Sequence, residues 1–107
     1  MPANPFLKTI VLTTLNTNYS LLTLIQAIDP GAPPRACHCQ IQLDNGAGAA
    51  HLFVGNDDIS GTNFGVNLVA GQQTTFDSTP QNLINISNIF LRSDTSAVKV
   101  NVKILVQ

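Results

Sequence analysis

Short apolar segments, interrupted at regular intervals by turn-forming residues, constrain the fold of this chain more than any other feature. Clusters of Gly, Pro, Asn and Asp recur about every 10 to 15 residues. Such spacings fit the strands of a sandwich or small barrel, whereas a βαβ fold needs longer helical segments between its strands. The pattern predicts an all-β fold: a single antiparallel β-sandwich of jelly-roll or Greek-key type with seven to eight strands.

The polar residues agree with that fold class. The chain has 107 residues, enough for one domain with one core. Asn, Thr, Ser and Gln together account for 34 of them, only 10% are charged, and none is Glu. This composition disfavours helices. We expect a single domain over residues 1–107, with a short N-terminal arm at about residues 1–6 and a polar surface that carries few charges.

The clearest strand is the last one. Between Val98 and Val106 every second residue is Val or Ile, and the intervening positions include two lysines and an asparagine. This period of two is typical of a half-buried strand. The preceding segment, Leu83 to Arg92, is predicted to be its hairpin partner, with a bulge near Ser87 or Asn88 that brings its two halves into phase.

One segment has two interpretations. Residues 19–28 read as a strand, but Leu21, Leu24, Ile25 and Ile28 also fit a helical stripe. The β-branched neighbours and the all-β context favour the strand.

A second hairpin is predicted in the middle of the chain, between residues 35–43 and 50–55. If Leu43 pairs with Ala50, one outward face of this hairpin is polar and uncharged, with an aromatic side chain at its centre. The residues of that face are His38, Gln40, Gln42, His51 and Phe53.

Cys37, His38 and Cys39 are residue types that bind zinc. On a strand, however, the two cysteines point to one side and the histidine to the other, so the three side chains do not converge on one ion. We interpret the cysteines as buried apolar residues that form no disulfide with each other. His38 and His51 have no nucleophile or carboxylate beside them in the predicted hairpin, so no catalytic site is predicted.

Asp57 and Asp58, together with Asp44, could supply oxygen ligands to a calcium ion. Turns select the same residue types, and turn formation is the favoured interpretation. The sequence alone does not decide whether a cation binds near Asp57 and Asp58. We predict no metal and no cofactor.

The charge balance excludes several functions. Five Lys and Arg against six Asp give a net charge of −1, which provides no basic surface for nucleic acid. The apolar runs are shorter than the roughly 18 to 20 residues that span a bilayer. The N-terminal residues lack the charged and apolar regions of a signal peptide, so we expect synthesis in a cytoplasm and no membrane partner.

The middle of the chain resembles small structural proteins of tailed bacteriophages. The resemblance lies in residues 51–60, HLFVGNDDIS, and residues 62–71, TNFGVNLVAG, and it continues in the valine-rich strand from Val98 to Val106. Together these cover about residues 50–106. In those proteins the corresponding stretches form a strand, a turn and a second strand.

The resemblance implies a virion structural protein, synthesised in the host bacterial cytoplasm, that decorates or cements the capsid across subunit junctions. It implies no catalytic residues. The partners would be the major capsid protein and further copies of the chain, in a dimer or trimer. The alternative is a tail, head-fibre or vertex protein that binds a host receptor or carbohydrate.

For the capsid role we predict an interface that combines the N-terminal arm with the outward face of the central hairpin. A charged residue in place of Phe53 is expected to weaken association without disturbing the fold. The residues of the predicted interface are Pro2, Pro5, Phe6, His38, Gln40, Gln42, His51 and Phe53.

Overall fold

The fold is mostly β-structure, as predicted. A computed structural model describes residues 6–105, and within that range it contains ten strands, one α-helix and two short 3-10 turns at Asn45–Ala47 and Ile86–Asn88. The strands are β1 (Phe6–Leu12), β2 (Tyr19–Ser20), β3 (Arg35–Ala36), β4 (His38–Leu43), β5 (Leu52–Gly55), β6 (Val66–Leu68), β7 (Gln73–Asp77), β8 (Ile84–Asn85), β9 (Phe90–Ser93) and β10 (Val98–Leu105). The α-helix, α1, is Leu21–Ile28.

Eight of these strands form two four-stranded sheets. Sheet A has the order β1-β10-β4-β7, and sheet B has the order β2-β9-β5-β6. The short strands β3 and β8 pair only with each other. When those two are set aside, the first strand pairs with the eighth, the second with the seventh, the third with the sixth and the fourth with the fifth. This is the strand order of a jelly roll, two Greek keys wrapped into a sandwich. The count of seven to eight strands was too low because it missed the β3-β8 pair.

Both predicted hairpins are wrong. β4 and β5 lie in different sheets, and so do β9 and β10. In each case the linking residues cross from one sheet to the other. After β9, for example, Ser93 O accepts a hydrogen bond from Asn16 N, and Ala97 N donates to Thr13 O. No bulge is needed near Ser87, because a 3-10 turn separates β8 from β9.

The core lies between the sheets. The alternation in β10 is confirmed over the described residues: Val98, Val100, Val102 and Ile104 are buried, and the intervening side chains face outward. β4 contributes Cys39, Ile41 and Leu43 in the same way, and sheet B supplies its own inward-facing residues. Those of sheet B are Leu52, Val54, Leu68 and Leu91.

The strand interpretation of residues 21–28 is wrong, because they form helix α1. Ser20 caps the helix by accepting a hydrogen bond from Thr23 N, and Leu21 and Ile25, one turn apart, are both buried. No helix within residues 6–105 is long and apolar enough to cross a membrane.

Candidate interaction surface

The outward side of sheet A is a polar surface with few charges, which we call the amide face. The strand register aligns its side chains in rows that run across the strands. One row contains Leu7, Lys103, Gln40 and Thr75, and the next contains Thr9, Asn101, Gln42 and Gln73. The second row therefore has amides at its centre, and the first has Lys103 and an amide.

The second row is joined by hydrogen bonds. Thr9 Oγ1 donates to Asn101 Oδ1 at 2.7 Å, and Asn101 Nδ2 donates to Gln42 Oε1 at 3.2 Å. Gln42 Nε2 then donates to the carbonyl of Gly71 at 3.2 Å. These bonds fix the side chains in place before any partner arrives, so less side-chain entropy is lost on binding.

A groove of about 310 Å³ crosses strands β1, β10 and β4 on this face. Its lining residues are Leu7, Lys8, Thr9, Gln40, Gln42, Asn101, Val102 and Lys103. Two lysines line it and no carboxylate does. Within residues 6–105 neither Lys8 nor Lys103 forms a salt bridge. Lys103 therefore brings a positive charge to the groove, and Lys8 on the edge strand β1 brings a second one to its margin.

Hydrogen bonds hold two aspartates at the margins of the amide face. Asp44 lies beside the second row, where the N–H of Gly46 and the amide of Asn101 hold the pKa of its carboxyl below the usual value, with a smaller effect from Lys99. At the opposite corner, His38 Nδ1 is hydrogen-bonded to Asp77 Oδ1.

The outward side of sheet B differs, because the segment 56–64 folds back over it. Phe53 lies under this segment and is 8% exposed, with its ring centroid 4.9 Å from that of Phe64. The ring of His51 is stacked with that of Phe53, with the two centroids 6.4 Å apart. Ile59, in the middle of the segment, is also buried. A charge at Phe53 would therefore be buried, so we now expect such a variant to lose stability and not only association.

Side-chain amides hold the turn that contains Asp57 and Asp58. Asn18 Nδ2 donates to the carbonyl oxygens of Asp57 and Ile59, at 3.2 and 3.0 Å, and Asn63 Nδ2 donates to the carbonyl of Asp58 at 3.2 Å. Arg92 orients Asn18 through a 3.0 Å bond to its Oδ1. Both aspartates are exposed, and within residues 6–105 their carboxylates form no salt bridge. We call this segment, residues 56–64, the acidic turn.

The predicted interface residues do not form one patch. His38, Gln40 and Gln42 lie on the amide face, whereas His51 and Phe53 lie on the outward side of sheet B. Phe6 is the first residue of β1 and its side chain is buried, so it belongs to the core and not to a free arm. Pro2 and Pro5 lie outside the described residues.

The two histidines each face an aspartate that the sequence did not place beside them. His51 Nδ1 is 2.9 Å from Asp94 Oδ2, and His51 N donates to Asp94 Oδ1 at 2.8 Å. Burial alone would raise the pKa of Asp94, but these bonds from His51 hold it below the usual value. The His38–Asp77 and His51–Asp94 pairs lie on different sheets, so they do not combine into one site.

The cysteines and the turn aspartates form no metal site among residues 6–105, where no group of three potential ligands comes together. Cys39 is fully buried, and burial raises the pKa of its thiol to about 12. Asp44 lies beside the amide face and is therefore remote from the acidic turn, which covers sheet B.

Sequence reasoning missed Lys8, Thr9, Asn101 and Lys103 as parts of the groove. The alternation in β10 placed Asn101 and Lys103 on an outward face. The identity of that face depended on β10 pairing with β1 and β4, and short-range patterns do not contain this information. Comparisons with protein-family models, with curated proteins and with solved structures found no match.

Proposed function

We propose that this chain is a structural protein of a tailed-phage particle that decorates or cements the capsid across subunit junctions as a homo-oligomer. Its role is mechanical and not catalytic. The observation that carries the proposal is the amide face, a sheet surface with two rows of mostly polar side chains, one of which is held in place by hydrogen bonds between Thr9, Asn101, Gln42 and the Gly71 carbonyl.

A polar face with few charges suits contact with another protein. Amides and hydroxyls both donate and accept hydrogen bonds, so they can bond to a partner without the large cost of burying an unpaired charge. Strand β1 of this face also carries two exposed apolar side chains, Leu7 (58% exposed) and Val11 (43% exposed). Binding would remove their apolar area from water.

The size of the face favours many copies acting together. Four strands about 4.8 Å apart and about six residues long give a surface of roughly 400 Å², about half of what a standard interface buries on each partner. A single contact of this size is weak. On a shell, many copies bind side by side, and avidity replaces single-site affinity.

The copy number of the protein in purified particles tests this function. Quantitative mass spectrometry against the major capsid protein measures it directly. We expect a copy number comparable to that of the capsid protein. Absence from purified particles would refute the proposal, and only a few copies per particle would move the protein to the tail or a vertex.

A second candidate function is binding of a host carbohydrate at the tail, a head fibre or a vertex. The groove favours it, because amide side chains can donate to one sugar hydroxyl and accept from the next. No aromatic residue lines the groove, however, so a sugar ring has no flat surface to stack on. Binding of the purified protein on a glycan array, lost in Gln40→Ala, would favour this function over the first.

A further inference from the structure

We propose that the groove of the amide face binds the acidic turn of a second copy of this chain. This rests on the proposed role of the amide face as a protein-binding surface, and it names the partner. The contact would place the carboxylates of Asp57 and Asp58 from one copy between Lys8 and Lys103 of the next.

Charge is the first argument. The chain contains three lysines, and all of them lie on β1 or β10 of sheet A. Lys99 lies near Asp44, which leaves Lys103 in the groove and Lys8 at its margin, with no acidic residue in the groove lining among residues 6–105. An acidic partner would supply the missing charges, and electrostatic complementarity of this kind selects and orients partners.

Shape and rigidity are the second argument. The acidic turn is an exposed loop whose carbonyls are held by Asn18 and Asn63. Its carboxylates are therefore presented by a backbone that is already ordered, which lowers the entropic cost of binding. A groove of about 310 Å³ has the volume of about ten water molecules, which is room for two aspartate side chains.

The positions of groove and turn require two copies. The groove opens on the outward side of sheet A, and the turn covers the outward side of sheet B. One chain cannot bring them together. A contact between different surfaces is heterologous, so it forms a ring if successive copies are suitably rotated and otherwise continues as a row.

Pairing through the edge of β1 is a less suitable route to self-association. Lys8 has the same parity as the buried Phe6 and Ile10, so its stem starts toward the core and its charge reaches solvent at the edge. An inward-pointing charge on an edge strand is a common obstacle to edge-to-edge pairing.

Sedimentation velocity of the purified chain tests the proposal without any particle. We expect association at about 20 mM salt that weakens about tenfold or more at about 500 mM, as the Debye length falls from roughly 20 Å to roughly 4 Å. Lys8→Gln/Lys103→Gln and Asp57→Asn/Asp58→Asn should each weaken it to a similar degree. The matched control is Arg35→Gln/Lys99→Gln, which removes the same charge outside the groove lining and should associate like the parent.

Charge reversal provides the decisive comparison. Lys8→Glu/Lys103→Glu should not self-associate, whereas the chain that also carries Asp57→Lys/Asp58→Lys should regain association, because groove and turn are again opposite in charge. Circular dichroism and thermal melting check that each variant is folded.

Two results would overturn the inference. One is a parent chain that stays monomeric at low salt. The other is an association that neither salt nor the paired variants change. A monomeric chain that still binds particles through Lys8 and Lys103 would assign the groove to the capsid protein; it would keep the proposed capsid role and remove only the homo-oligomer.

Discussion

Two thiols that are two residues apart have different environments. Cys39 points into the core and is fully buried, whereas Cys37 precedes β4 and is partly exposed. The sequence predicted a buried Cys39, because strand alternation places it with Ile41 and Leu43. The sequence also predicted a buried Cys37, and this was wrong. Cys37 lies between strands β3 and β4, so strand alternation does not fix its direction.

Labelling with iodoacetamide should distinguish the two thiols. Only the thiolate reacts, and burial raises the pKa of Cys39 to about 12, so at neutral pH the native protein should take up label at Cys37 alone. Both residues should react in denaturant. Mass spectrometry of the peptides reads the result, and equal labelling of Cys39 in the native state would contradict the burial.

Asp94 should contribute stability at neutral pH that is lost in acid. Its pKa is lower in the folded chain than in the unfolded one, because it accepts hydrogen bonds from His51. The contribution is therefore present above the unfolded value of about 4 and disappears as the pH falls below it.

The free energies of unfolding of the parent and Asp94→Asn test this by urea denaturation. The parent should be more stable at pH 7, and the difference should shrink by about pH 3. Asp58→Asn is the control, because it also removes a carboxylate but one that forms no salt bridge within residues 6–105. A difference for Asp94→Asn that does not change with pH would contradict the assignment.

At the scale of elements, local signals identified where strands occur but not which strands pair. The two segments on either side of Gly71 have the sequence pattern of short strands, and they are β6 and β7. They look like a hairpin, yet β6 pairs with β5 and β7 pairs with β4. Pairing in a jelly roll joins segments that are far apart in sequence, so periodicity and turn residues do not determine it.

Helix α1 shows the same limit. An amphipathic segment of eight residues fits a helix or a strand, and the choice depends on its surroundings. Ser20 as cap and the burial of Leu21 and Ile25 select the helix.

Gly71 lies at the crossing from sheet B to sheet A, and its conformation should matter for stability. Its φ of +84° is one that L residues rarely adopt, and an added Cβ would lie 2.3 Å from Asn45 Oδ1. Gly71→Ala should cost about 1 to 2 kcal/mol in the free energy of unfolding. Gly61→Ala, with nothing within 4 Å of the added Cβ, should have little effect. Equal losses in the two variants would contradict this account.

At the scale of the whole molecule, the sequence predicted the fold class and a polar surface, but it assigned the interface residues to a hairpin that does not exist. Gln40 and Gln42 were placed correctly on an outward face, because β4 alternates cleanly. Their neighbours Thr9, Asn101 and Lys103 come from the two ends of the chain. Only the three-dimensional pairing of β1, β10 and β4 brings these residues into one surface.

Incorporation into particles is the most direct test of the claim that the amide face is an assembly surface. Gln40→Arg puts a long charged side chain into the groove, and Asn67→Arg makes the matched change at an exposed position of β6 in sheet B. Each variant competes with the parent during particle formation, and mass spectrometry measures the ratio in purified particles. We expect Gln40→Arg to be depleted by about tenfold, which corresponds to about 1.4 kcal/mol per contact, and Asn67→Arg to enter like the parent. Equal incorporation of both variants would contradict the claim.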